Sequence, residues 1–233
     1  MKRRAIIALI FAVGALSRGQ VPFASTSSAV QPSAATLQPS GPGWQPPSRL
    51  GQTVSETPSQ SMLEQGKSVV AGRAVEYQIR RLPVSSFPEL PAAVAAVLEQ
   101  MGCMIPQSYA ARHPENVIHG SLEAEGTLDW AALCSVNGTV RLLVFFNSRP
   151  TDPILVTATT EKQRLQVHDA SGMLGFGWGI DAASPERVHQ AQAGLGHRPP
   201  RILHDALADT FIDHPAVYRL YDASGWKVLE TSE

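Results

Sequence analysis

The alternation of apolar and polar positions becomes regular only from about residue 75 onward. Val75, Tyr77 and Ile79 alternate with Glu76, Gln78 and Arg80, which is the period-2 pattern of a half-exposed strand. Ser86-Phe87-Pro88-Glu89 then matches a capping box with proline in the first turn, and Leu90, Val94, Val97, Leu98 and Met101 come after it at helical spacing. Gly102 supplies a C-terminal stop, so the pattern predicts an amphipathic helix that brings Cys103 to the edge of a core.

Strand-like segments dominate the chain beyond Cys103. Val117-Ile118-His119 reads as a short strand, and a polar loop runs from there through Gly126. Leu128 to Ser135 and Thr139 to Phe146 read as two strands joined at Asn137-Gly138, the strongest short hairpin signal. The second is apolar on both faces apart from Arg141, which places it inside a sheet. Ile154 to Thr160 and Arg164 to His168 are further strand candidates. Asp-Ala-Ser-Gly occurs at Asp169–Gly172 and again at Asp222–Gly225, and both fit tight turns between strand-like runs. The glycines at 175, 177 and 179 suggest a glycine-rich strand or bulge. Between the turns, one helix is expected from Ser184-Pro185-Glu186 to Gly194. A second is expected from about Arg201 to Phe211, with Ile202, Leu203, Ala206, Leu207 and Phe211 on one face. Together these elements predict an α+β domain: an antiparallel sheet built of hairpins, with a few packed helices.

The first sixty or so residues show another pattern. Lys2, Arg3 and Arg4 precede an apolar run from Ala5 to Ala15, and Ala15-Leu16-Ser17 offers a small-x-small cleavage pattern. The run is much shorter than the ~20 apolar residues of a spanning helix, so residues 1–17 read as a secretory signal peptide. Residues 18–65 are rich in Ser, Pro, Gln, Thr and Gly and nearly free of charge, as expected of a flexible tether. Residues 66–233 then form a single globular domain, and the protein is expected to be exported, periplasmic or extracellular.

Charge narrows the partners. The formal net charge is −1 and the pI about 6.7, which offers no electrostatic footprint for nucleic acid or, after signal cleavage, for a membrane. The two cysteines, Cys103 and Cys134, read as one disulfide in an exported chain. The competing reading, a reactive Cys103, requires a base that the neighbouring sequence does not offer.

Candidate chemistry concentrates in Ser121-Leu122-Glu123-Ala124-Glu125-Gly126-Thr127-Leu128-Asp129. Oxygen-bearing side chains fall at positions 1, 3, 5 and 9 of this loop, and glycine at position 6. Calcium takes six to eight hard oxygens, often including a carbonyl from the seventh residue. The loop and the strands around it, residues 117–146, resemble the FG-GAP/VCBS-type calcium-loop hairpin of β-propellers. That resemblance implies calcium held by Ser121, Glu123, Glu125 and Asp129 with the Thr127 carbonyl. Without the resemblance, the segment reads first as a solvated polar loop and only second as an ion site. Gly102 to Gln107 and Asp129 to Cys134 also resemble elements of an uncharacterised secreted bacterial protein family, which implies no activity but supports the Cys103–Cys134 pairing.

Other groupings are weaker. Gly66-Lys67-Ser68 lacks the upstream glycine of a phosphate loop. His204, Asp205 and Asp209 share one face of the expected second helix, where a solvated face is the commoner outcome. Trp130, Phe145, Phe146 and Trp178 read as core rather than as a ligand groove. The functional expectation is therefore a non-catalytic exported binding module for an extracytoplasmic protein or polymer. The alternative is a small exported hydrolase, in which His119, His168, His204 and Asp205 would converge.

Overall fold

A computed structural model describes residues 61–232; the expected signal peptide, and the expected tether up to residue 60, lie outside them. The fold is mostly β, which corrects the α+β expectation. Thirteen strands accompany two short α-helices among the described residues, and they form two sheets.

The first sheet starts with a long hairpin of β1 (Met62–Val70) and β2 (Arg73–Pro83). After α1 (Ala92–Gln100) come β3 (Met104–Gln107), β4 (Val117–Gly120), β5 (Asp129–Val136), β6 (Thr139–Phe145) and β7 (Ile154–Thr160). A 3-10 turn at Glu161–Arg164 leads into β8 (Leu165–Val167) and β9 (Leu174–Phe176). These nine strands run in the order β7-β6-β5-β3-β2-β9-β8, with β1 beside β2 and β4 beside β5. The sheet is mixed rather than purely antiparallel, because β9 lies parallel to β2. The second sheet holds β10 (Trp178–Ala183), β11 (Ala206–Phe211), β12 (Val217–Asp222) and β13 (Gly225–Val228), all antiparallel. Between β10 and β11 runs α2 (Pro185–Ala191), capped by the Ser184 side chain accepting the Arg187 N–H.

Local chemistry explains most boundaries. Asn137 and Gly138 have φ of 51° and 76°, the left-handed pair that a two-residue hairpin needs, and Val136 pairs directly with Thr139. At the end of α1, Gly102 turns left-handed at φ 70°. Its N–H donates to the Glu99 carbonyl while the Cys103 N–H donates to Leu98, which closes the last carbonyls of the helix. The start of α1 differs from expectation. Ser86 ends a separate 3-10 turn, the helix opens after Pro91, and no side chain caps it.

The second expected helix is absent: Ala206 to Phe211 form β11. This strand sits between β10 and β12, and Ala206, Leu207, Ala208 and Asp209 are all buried. A strand covered on both faces shows a continuous apolar run, which periodicity alone does not separate from a helix.

Alternation sorts the core into layers. Ala131 and Leu133 of β5, and Val140, Leu142 and Val144 of β6, meet Trp178, Ile180 and Leu207 of the second sheet. The opposite face of the same strands, with Ala132, Cys134, Leu143 and Phe145, packs on Val94 and Leu98 of α1. A smaller layer joins α2 to the outer face of the second sheet through Val188, Ala206, Ala208 and Tyr218. Cys103 and Cys134 form the disulfide, with Cα atoms 5.0 Å apart and a sequence separation of 31. Closing a loop of that length stabilises the fold by about 3–4 kcal/mol in the chain-entropy account.

Candidate functional site

The 3-10 turn at Glu161–Arg164 opens on a capping-box pattern, in which Gln163 Oε1 accepts the Thr160 N–H at 3.3 Å and its hydroxyl at 3.1 Å. The turn faces two ways. Glu161, its first residue, points inward and receives the Arg81 guanidinium through a bidentate pair, with Arg81 Nε 2.6 Å from Glu161 Oε1. Ser135 Oγ donates to the same oxygen at 2.6 Å. Glu64 accepts from Arg81 at 2.6 Å and from the Tyr77 hydroxyl at 2.7 Å. Arg81 and Glu161 are 5% and 2% exposed, so the ion pair is buried and directly bonded, with Glu64 as a second, partly exposed acceptor. The Glu161 hydrogen bonds hold the Arg81 guanidinium above its usual value despite burial. The Tyr77 hydroxyl, then Arg81, holds the Glu64 carboxyl below its usual range.

Arg164, the last residue of the turn, enters a groove at the rim of the inter-sheet core. Its guanidinium carbon lies 4.0 Å from the centroid of the Trp178 ring and 5.0 Å from that of Phe211, within cation–π range. Beneath it the Trp178 Nε1–H donates to Asp209 Oδ1 at 2.6 Å, and Arg219 Nη2 donates to Asp209 Oδ2 at 3.0 Å. Alternation on β11 turns Leu207, Asp209 and Phe211 toward the first sheet, and on β12 Val217 and Arg219 line the same side. His214 and Pro215, from the loop between those strands, complete the wall of a groove of about 510 Å³. Asp209 is thus neutralised by Arg219. Arg164 has neither a salt-bridge nor a hydrogen-bond acceptor for its guanidinium among the described residues. Burial pushes its pKa below the usual guanidinium value, and the Asp209 charge offsets only part of that. Gln166 lines the groove as well; its Nε2 donates to Tyr109 Oη and the Ile212 carbonyl, while its buried Oε1 has no donor among the described residues.

The expected calcium loop is arranged around a carboxylate. Asp129 is fully buried, and its Oδ2 accepts the Glu123 N–H at 2.7 Å and the Thr127 hydroxyl at 2.5 Å. Its Oδ1 accepts the Asn147 N–H at 2.9 Å. Ser121 Oγ donates to the Thr127 carbonyl at 3.0 Å, Glu123 accepts from Ser148 Oγ, and Glu125 is exposed. Of the expected ligand oxygens, those of Glu123 and Asp129 and the Thr127 carbonyl accept protons from the loop and its neighbour, while Ser121 Oγ donates its own. An ion placed among them would face N–H and O–H groups, and this arrangement does not fit calcium.

The remaining candidates separate. Asp205 accepts the Ser121 N–H at 2.9 Å and adjoins His204, whereas Asp209 belongs to the groove. His168 stacks on Tyr109 at 5.2 Å and His119 tilts against Trp130 at 5.1 Å. Among the described residues no three His, Cys, Asp or Glu side chains are grouped to hold a metal.

Sequence reasoning misses Arg164, Arg219 and the Trp178–Asp209 bond. Two signals are present nonetheless: Thr160-Glu161-Lys162-Gln163 is a capping-box pattern, and Asp209 takes the inward face once β11 is read as a strand. Compared with protein-family models, with curated proteins and with solved structures, the chain matches none.

Proposed function

We infer that this protein is an exported binding module that engages an extracytoplasmic protein or polymer through the groove between its two sheets. One observation carries the reading. Arg164 is half-buried with its guanidinium over the Trp178 ring, and its donors lack acceptors among the described residues, whereas Asp209 and Arg219 beside it are paired with each other. A partly desolvated guanidinium gains from an anion or hydrogen-bond acceptor that meets its open donors. The groove is of ordinary ligand-site size, and its Phe211, Pro215 and Val217 walls add apolar contact. Export draws support from the Cys103–Cys134 disulfide, which is at home in an oxidising compartment, and from the signal-like residues 1–17.

Co-sedimentation of the oxidised protein with washed envelope fragments, and with the polymers released from them, tests this directly. The wild type is expected to sediment with the material, and Arg164→Gln to remain in solution. Equal retention of the two proteins, or retention of neither, counts against the groove as the site of partner binding.

A further inference from the structure

We propose that the groove takes a ligand group bearing a single carboxylate on an apolar body, with Arg164 as the fork that holds the carboxylate. The inference rests on the reading of the groove as the binding site and adds the chemistry of what it accepts.

Charge sets the first limit. Arg164 and Arg219 bring two positive charges to the cluster and Asp209 one negative charge, and Asp209 bonds Arg219 directly at 3.0 Å. One positive charge is left without a partner, and it sits on Arg164. A monoanion matches this balance. A phosphate dianion would bring a second charge close to the Asp209 carboxylate with no second free cation among the groove residues to meet it. Burial also depresses the pKa of Arg164, the effect expected of a cation whose counter-charge is missing.

Geometry sets the second limit. The Arg164 guanidinium carbon lies over the Trp178 ring, 4.0 Å from its centroid. With no acceptor among the described residues, the guanidinium keeps its N–H donors free, and a guanidinium fork can present two parallel donors to a carboxylate. The ring contact also fixes the orientation of a side chain that would otherwise lose rotamer freedom on binding. Asp209 holds the platform in place through the Trp178 N–H at 2.6 Å. Phe211, Pro215 and Val217 stand beside the charged floor and are half-buried or exposed, so a bare inorganic anion would leave this apolar wall uncovered. An apolar body attached to the carboxylate covers it.

Isothermal calorimetry on the full-length oxidised chain tests the proposal with phenylacetate, its neutral isostere phenylacetamide, and inorganic phosphate. Phenylacetate is expected to bind saturably, and the amide and phosphate to bind roughly tenfold more weakly or worse, as loss of a charge-assisted bidentate contact implies. Arg164→Gln is expected to abolish the preference for phenylacetate over the amide. Arg164→Lys keeps the charge but not the fork, and is expected to fall between the two; it also serves if the glutamine variant folds poorly. Equal affinity for acid and amide, an undiminished preference in Arg164→Gln, or tighter binding of phosphate overturns the proposal. Absence of saturable phenylacetate binding overturns it too. Amide binding that perturbs Trp178 without any carboxylate preference sinks the ligand chemistry alone, since the groove then still binds. If neither these probes nor envelope polymers engage the groove, the binding reading fails with it.

Discussion

Arg81 of β2 and Glu161 of the 3-10 turn form a bidentate ion pair across 80 residues of sequence, and both are buried. The pair fixes the turn whose other end carries Arg164 into the groove. A single buried interaction therefore links the long β1–β2 hairpin to the candidate binding site.

Breaking one side of that pair should be costly. Glu161→Gln leaves the buried Arg81 with only the partly exposed Glu64 as a charged partner. It is expected to lower unfolding free energy by about 3 kcal/mol, as removal of one member of a buried pair does. The double variant Arg81→Met with Glu161→Leu is expected to regain most of the loss, because neither charge is then stranded. Urea denaturation of the three proteins checks this. A loss below about 1 kcal/mol in the single variant would show that the pair is not desolvated as described.

Glu64 supplies a pH dependence with a defined sign. Its carboxyl is held below the ordinary value by the Tyr77 hydroxyl and then by Arg81. The folded state therefore binds a proton less readily than the unfolded one. The resulting stability is fully present above the unfolded carboxylate value of about 4.3, and is lost as pH falls through the lower folded value. Denaturation midpoints measured from pH 6 down to pH 3 should fall less steeply in Glu64→Gln than in the wild type. Parallel profiles would remove Glu64 from the network.

Asp129 should act as the clasp of its loop with or without an ion. Asp129→Ala leaves the Glu123 and Asn147 N–H groups without their acceptor, at a cost of about 2–3 kcal/mol. Melting temperatures of the wild type are expected to agree in excess calcium and in chelator. The variant should melt lower by the same amount in both. An upward shift in calcium that Asp129→Ala abolishes would show that the loop rearranges around an ion.

Much of the β framework is legible in the sequence because its signals are local. Val75, Tyr77 and Ile79 alternate along β2, Asn137-Gly138 specifies one hairpin, and each Asp-Ala-Ser-Gly makes a turn, with the Asp169 and Asp222 side chains accepting the Ser171 and Ser224 N–H groups. The Cys103–Cys134 pairing is legible from the presence of two cysteines in a chain with a signal-like start. The fold class goes astray at β11, where burial on both faces erases the period-2 signal and Ala206-Leu207 mimics a helical stripe. That error also hides the groove, since it groups Asp209 with His204 and Asp205 instead of with Trp178 and Arg219. Arg81 is legible in principle: the alternation that buries Tyr77 and Ile79 also buries position 81. Its partner Glu161 lies 80 residues away, and no local pattern announces a contact of that range.

The central claim is that ligands enter the groove over Trp178, and the Trp178 indole N–H resonance of the isotopically labelled, oxidised protein reports on it most directly. That N–H donates to Asp209 beneath the Arg164 guanidinium, whereas Trp130 and Trp226 have buried indole nitrogens without acceptors among the described residues. On titration with soluble envelope polymers or exported-protein fractions, a saturable shift of the Trp178 resonance is predicted, absent in Arg164→Gln, while those of Trp130 and Trp226 stay in place. A saturable shift at Trp130 or Trp226 with Trp178 unmoved would place binding elsewhere and contradict the claim.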